Sequence, residues 1–277
     1  MMKVPRELVG ASRESRSQAR ILLDNILKNS GDIVAFSNEI FSLVKALDSS
    51  AALRRGLTDP ARAKEDKSAL VKNLLKNKFS NEAIKLLEDL AKMRWSSPTD
   101  FTNVLEQLAI ETETSAANLA GELDRLEEEI FVLSRIIASN SQLRQSLSST
   151  MFSVESKQSL ITSLIKGKVS ESTLRLLNHI ASGLRGRNIE STMSYYQSAI
   201  AARRERLVAF VRVAAPISVT QRQELEILLA KKIGQPVRVN LEIDKTILGG
   251  VSIRFGDELI DATIASRIAD AGRALAG

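Results

Sequence analysis

The sequence has no cysteine, one histidine, five prolines and only 4% aromatic residues among its 277 positions. The missing cysteines exclude disulfides, thiolate zinc sites, iron–sulfur clusters and cysteine nucleophiles. They also point to the cytosol, since secreted chains of this size often use disulfides. His179 by itself cannot supply a two-histidine zinc motif, so metalloprotease chemistry is out. No apolar run reaches the ~18 residues of a membrane helix, because Arg, Lys, Asp or Glu interrupts every one. Met1-Met2-Lys3-Val4-Pro5-Arg6-Glu7 offers no apolar signal-peptide core. The chain is therefore expected neither to insert directly into a membrane nor to be exported. GxxxxGK[ST], GxGxxG, GxSxG and Ser/His/Asp arrangements are likewise absent. No active site and no cofactor are expected.

What is present is a folded composition, 44% hydrophobic and 26% charged, long enough for two domains or three small ones. The net charge is +6. From Pro216 onward acids and bases balance, so the excess lies upstream. The densest basic group is Arg203-Arg204-Glu205-Arg206, with Arg185 and Arg187 nearby, and no aromatic residue is interleaved to stack bases. This reads as a solvated helix face, with no nucleic-acid partner.

Sliding the chain against itself by 90 residues gives a gap-free match from Gly31/Gly121 to Ile110/Ile200. Identical pairs include Glu39/Glu129, Ile40/Ile130, Phe41/Phe131, Arg54/Arg144, Leu74/Leu164, Ser80/Ser170, Leu86/Leu176, Leu87/Leu177 and Ala109/Ala199. The shared leucines recur at helical spacing, which describes stripes facing a bundle core. The pattern predicts helices near 12–29, 32–48, 50–57, 64–76, 80–94 and 99–118, then 122–138, 140–147, 154–166, 170–184 and 188–205. Thr58-Asp59-Pro60 and Ser96-Ser97-Pro98-Thr99 read as turn or N-cap chemistry. Leu119, Leu123, Leu126, Ile130, Leu133 and Ile137 form a narrow seam, read as bundle core, and the copies are expected to abut through continuous helix.

After Arg206 the period changes. Leu207 to Ala214 reads as a strand, and Val237, Val239, Leu241 and Ile243 alternate with polar residues. Between them, Leu225, Leu228, Leu229 and Ile233 share a helical face that ends at Gly234. Val251, Ile253 and Phe255 alternate again before a turn at Gly256-Asp257-Glu258, and Asp261 or Thr263 is placed to cap a last helix reaching about Leu275. The expected fold is mainly α, with two tandem helical-bundle repeats followed by a small β-α-β-β-α module. The expected domains are 1–110, 111–206 and 207–277.

Several residues invite a sharper reading than their surroundings support. Gly249-Gly250 sits between strand patterns with no helix after it, so it reads as a bend and not a phosphate loop. Asp244, Asp257 and Asp261 match no calcium-loop spacing. His179 beside Leu176, Leu177 and Ile180 reads as a packing histidine. Trp95 faces Arg185 in the repeat register, so it lies outside the shared core design and is either an interface anchor or a domain-packing residue.

Asp244-Lys245-Thr246-Ile247-Leu248-Gly249-Gly250-Val251-Ser252-Ile253-Arg254-Phe255-Gly256-Asp257-Glu258-Leu259-Ile260-Asp261, followed by Ser266-Arg267-Ile268, resembles the C-terminal signature of the delta subunit of F-type ATP synthase, homologous to the oligomycin-sensitivity-conferring protein. The resemblance covers about residues 110–277. The first copy resembles the same helical domain again, similar to a longer actinobacterial form. The resemblance implies a non-catalytic stator subunit joining the catalytic head to the peripheral stalk, placed peripherally at the cytoplasmic face of the cell membrane. The implied partners are the N-terminal helices of the alpha subunit and a b-type stalk subunit. Leu86, Leu87 and Leu90 with Leu176, Leu177 and Ile180 become candidate helix-groove positions. Leu248, Gly249, Gly250, Gly256, Asp257, Asp261 and Arg267 become signature positions that are structural or stalk-facing. Apart from the resemblance, a helical repeat scaffold for another partner and a basic RNA-binding protein stay open.

Overall fold

The computed structural model describes residues 10–205, 207–233, 237–244, 247, 249–255 and 258–263. The chain divides into two compact units, 1–201 and 202–277. In the first, apolar stripes and capping side chains set eleven helices among the described residues: α1 (Ala11–Leu27), α2 (Ile33–Ser49), α3 (Ala51–Thr58), α4 (Lys64–Leu75), α5 (Asn81–Lys92), α6 (Pro98–Leu119), α7 (Leu123–Ser139), α8 (Ser141–Ser148), α9 (Val154–Ile165), α10 (Glu171–Ser182) and α11 (Ile189–Glu205). Ser80 and Ser170 each cap a helix by accepting an N–H at 3.2 Å, from Ala83 and Thr173. Ser97 caps α6, accepting from Asp100 at 3.1 Å, with Pro98 at the first helical position where its missing N–H costs nothing.

The repeat holds at the level of individual contacts. Glu39 accepts the Ser80 N–H at 2.9 Å, and its counterpart Glu129 accepts the Ser170 N–H at 2.9 Å. After the fourth helix of each copy the backbone turns left-handed at the same position, Asn77 with φ 63° and Gly167 with φ 77°. The periodicity also reaches further back than the gap-free match. Ala19, Ala109 and Ala199 stand 90 residues apart in α1, α6 and α11, exposed by only 0%, 0% and 2%. Thus α6 is at once the last helix of the first copy and the first helix of the second. It is covered almost all round, Phe101 to Ser115 being buried except Asn103 and Gln107. The expected boundary at 110/111 falls inside this helix.

One apolar core runs from Ala19 to Ile200 through both copies. The expected seam is interrupted: α6 ends at Leu119, which is 57% exposed, and the chain turns at Gly121 (φ 74°) before α7 begins. The copies are therefore joined by sharing α6, not by helix continuing across 119–123. Of the seam, Leu123, Leu126, Ile130 and Ile137 do face the core.

The second unit holds β1 (Val208–Val213), α12 (Val219–Ile233), β2 (Arg238–Ile243), β3 (Gly250–Phe255) and β4 (Glu258–Thr263). The sheet order is β2-β1-β3-β4, with β1 and β2 parallel and the other pairs antiparallel. Its core is Ala209, Val211, Val213, Leu229, Val237, Val239 and Ile253. Two expectations are corrected here. Glu258 to Thr263, expected as a turn leading toward a helix cap, is a strand, with Phe255 opposite Glu258. Leu228, expected in the core, is 63% exposed, because the helix turns Leu225 and Leu229 inward instead. The expected last helix lies outside the described residues.

Candidate interaction site

The six candidate groove positions come together, but inside. Leu86, Leu87 and Leu90 in α5 are exposed by 0%, 3% and 0%, and Leu176, Leu177 and Ile180 in α10 by 0%, 3% and 2%. A partner helix would meet them only if α5 or α10 lifted off its neighbours. Of the signature positions, Leu248, Gly256, Asp257 and Arg267 lie outside the described residues. Gly250 opens β3 at φ 86°, so a β-branched residue there carries strain of about 1–3 kcal/mol. Asp261 lies in β4 opposite Ser252. Asp244 sits 3.6 Å from Arg212, an ion pair. Among the described residues no group of three or more His, Asp or Glu is placed to hold a metal ion.

Where the two copies meet, the chemistry is charged and aromatic. Arg185, in the loop after α10, lies 2.5 Å from Asp48 at the end of α2 and 2.5 Å from Glu106 in α6. Arg187 reaches the other oxygen of Glu106 at 2.5 Å and stacks over Tyr195, 4.6 Å from the ring centre. Arg175 pairs with the fully buried Glu113 at 2.6 Å, and Arg20 with the fully buried Glu111 at 2.6 Å. Burial opposes the charge on Arg185, but Glu106 and Asp48 outweigh it and hold its pKa above the ordinary value. The expected solvated basic face is thus corrected at Arg185, whose side chain is 9% exposed, and at Arg203, which is 1% exposed.

His179 stacks on Phe41, ring centres 3.7 Å apart and planes 14° from parallel. Burial, helped by the nearby Arg175, lowers its pKa to about 4. It is a packing histidine that joins α10 of the second copy to α2 of the first. Trp95 packs edge-on against Phe101 at 5.4 Å and donates its indole N–H to the Leu90 carbonyl at 2.8 Å, which is packing within the unit.

The feature that sequence reasoning missed is an asymmetry. Phe41 is 6% exposed, whereas its repeat partner Phe131 is 54% exposed, with Val132 at 44% and Ile136 at 46% on the same helix. A groove of about 240 Å³ runs beside Phe131, lined by Glu127, Ile130, Gln197, Ile200 and Ala201. In the second unit, α12 leaves Val219, Ile227 and Leu228 exposed. Identical residues in a repeat cannot by themselves reveal which copy is covered by the other.

This is a tandem helical-repeat protein with an appended α/β module, presenting apolar helix faces and no assembled catalytic groups among the described residues. Residues 113–275 match the family model "ATP synthase delta (OSCP) subunit". The chain is 38% identical over 268 residues to ATP synthase subunit delta of Streptomyces coelicolor, covering 96% of this chain and 98% of that one. To the Thermobifida fusca subunit it is 38% identical, covering 97% and 99%, and to that of Renibacterium salmoninarum 34%, covering 98% and 100%. A chain in the cryo-EM structure of the Toxoplasma gondii mitochondrial ATP synthase hexamer aligns with 61% of this chain and 97% of its own length, at a TM-score of 0.30 and 17% identity. The protein belongs to the ATP synthase delta (OSCP) subunit family. It is a non-catalytic stator subunit of F-type ATP synthase. No described helix is long and apolar enough to cross a membrane.

Proposed function

We infer that the chain fastens the catalytic head of the synthase to its peripheral stalk, with the helical repeats serving the head and the α/β module serving the stalk. The observation that carries this reading is the pair of separate cores, one within residues 1–201 and one within the tail, which lets one chain hold two partners through independently folded parts. The occupant on the head side is the N-terminal helix of an alpha subunit, an amphipathic segment of the kind a bundle can seat through anchors at i, i+3, i+4 and i+7. On the stalk side a b-type subunit lies against the module, where the exposed Ile227 and Leu228 of α12 offer apolar contact. The signature positions Leu248, Gly249, Gly250, Gly256, Asp257, Asp261 and Arg267 belong to that module. The subunit works at the cytoplasmic face of the cell membrane without entering the bilayer.

The test is a chain ending near residue 206, compared with the full chain under equal conditions. The truncated chain is expected to keep its helical fold and its binding to an alpha N-terminal helix, and to lose stalk binding. Equal stalk binding by both would move that contact into the helical repeats. Because α6 serves both copies, a dissection of the repeats should cut outside 98–119, so that α6 stays whole.

A further inference from the structure

The corner between α3 and α4 holds donors that the chain itself does not answer. In the second copy Ser153 caps α9, accepting the Ser156 N–H at 3.2 Å. Its counterpart in the first copy is Ala63, and no side chain caps α4, so the first-turn N–H groups face outward with no side-chain acceptor. Cations gather at the same end: Arg62 stands where the second copy has Phe152, and Lys64 where it has Val154. Arg62 lies against Gly56 of α3, where a Cβ would come within 3.4 Å of its Nη1. Lys67 completes the corner. It heads the buried stripe Lys67, Val71 and Leu75 of α4 and is only 4% exposed. Lysine is almost never buried without a partner, yet Lys67 makes no hydrogen bond or ion pair among the described residues. Long side chains on a helix lean toward its N-terminus, which carries the ammonium to the open end of α4. The charges that act on it flank that end: Asp59, Arg62 and Lys64. Burial, with Arg62 and Lys64, outweighs Asp59 and lowers its pKa, as for an ammonium short of counter-charge. The geometry points to the N-terminus of α4 as a binding site for a phosphoryl dianion, held by Arg62, Lys64, Lys67 and the N–H groups of the first turn.

The class of ligand follows from the donor set. Arg62, Lys64 and Lys67 against Asp59 leave an excess of two positive charges, which a dianion cancels. Asp59 is engaged by its own loop, its Oδ1 accepting the Ala61 N–H at 2.9 Å. The other acids of the first turn, Glu65 and Asp66, are exposed. Around the helix Glu65 stands about 160° and Asp66 about 100° from Lys67, whereas Lys64 is within about 60°. A guanidinium fork, two ammonium groups and the first-turn N–H groups outnumber the two oxygens of a carboxylate and suit the three of a phosphoryl group. Free phosphate and the terminal phosphate of a nucleotide both present that group, and the exposed Arg62 and Lys64 leave the corner open to either. The second copy keeps Lys157 but has neither flanking cation and closes its helix end with Ser153, so it serves as a control within the same molecule. The site is independent of the stator reading and lies apart from the candidate groove positions.

The experiment is amide NMR of the full-length chain, titrated with inorganic phosphate and, separately, with sodium chloride of equal ionic strength. The amide signals of Lys64, Glu65 and Asp66 are expected to shift with phosphate and saturate, while those of Val154, Glu155 and Ser156 at the start of α9 stay in place. Lys67→Met, which suits the buried stripe, is expected to weaken phosphate binding about tenfold without lowering the thermal midpoint. Ala63→Ser supplies the hydroxyl that Ser153 supplies in the second copy. It is expected to raise the thermal midpoint and yet weaken phosphate binding about tenfold, which separates a filled helix end from a damaged fold. ADP and ATP form the other arms: tighter binding than inorganic phosphate assigns the site to a nucleotide's terminal phosphate, and equal or weaker binding assigns it to free phosphate. Shifts that chloride reproduces, shifts shared equally by α9, or full phosphate affinity in Lys67→Met would overturn the site. So would a failure of all three phosphoryl ligands to saturate it.

Discussion

The two helical copies share a register of 90 residues and several identical side chains, yet one Phe is sealed and its twin is open. The difference does not reside in the helices that carry the two rings. It arises because the first copy has a neighbour on that side, α10, whereas the corresponding side of the second copy has none within the helical unit. Repetition fixes the local fold, and position in the array decides which surfaces remain available.

The largest expected effect tests that statement directly. Phe41→Ala should cost about 3–5 kcal/mol, the cavity penalty of a sealed aromatic, while Phe131→Ala should cost less than about 1 kcal/mol. Chemical denaturation of both variants measures the contrast, and equal losses would erase it. Next is Arg185→Ala, which leaves Asp48 and Glu106 facing each other's charge near the copy interface, Glu106 retaining only Arg187. A loss of about 3 kcal/mol is expected, toward the lower end for a broken buried pair.

Acid should loosen the same interface. The pKa of His179 is about 4 in the fold against an ordinary 6.5, so above about pH 6.5 both folded and unfolded chains carry it neutral and its packing counts in full. As pH falls from 6.5 toward 4 the unfolded chain takes up a proton that the fold excludes, and stability drops by up to about 2–3 kcal/mol. A His179→Gln variant should show a flatter stability profile over that range, read by denaturant titration at several pH values. The smallest effect should be symmetric. Glu39→Ala and Glu129→Ala each remove an acceptor for a helix-capping serine, and each should cost about 1–2 kcal/mol. Unequal losses there would show that the copies differ even where their contacts match. For Glu129, burial raises the pKa but hydrogen bonds from Thr173, Ser170 and Arg125 outweigh it, so the net shift is downward. Its contribution is therefore present above the unfolded carboxylate range and is lost as pH falls through the folded pKa.

Most of the helical architecture was legible from apolar spacing and caps, to the extent that the predicted 64–76 appears as α4 (Lys64–Leu75) and 154–166 as α9 (Val154–Ile165). Such signals are local, and helices are set locally. β4 was not legible because six residues carry little period, and pairing with β3 is what decides them. The interior arginines were not legible either, since a charged residue reads as solvated until a buried carboxylate is known to face it. The family signature was plain as a string, but the groove residues chosen from leucine spacing turned out to be core. The stripe that folds a bundle and the stripe that could bind a helix look alike in sequence.

The shared helix α6 also has a mechanical meaning. At ~1.5 Å per residue its 22 residues form a rod of about 33 Å, sheathed by side chains from both copies and without a glycine or an interior proline. Two bundles strung on a linker would bend at the linker when twisted. Two bundles that own the same rod have no joint at which to bend, so a sideways load applied to one copy reaches the other as rotation of a single stiff body.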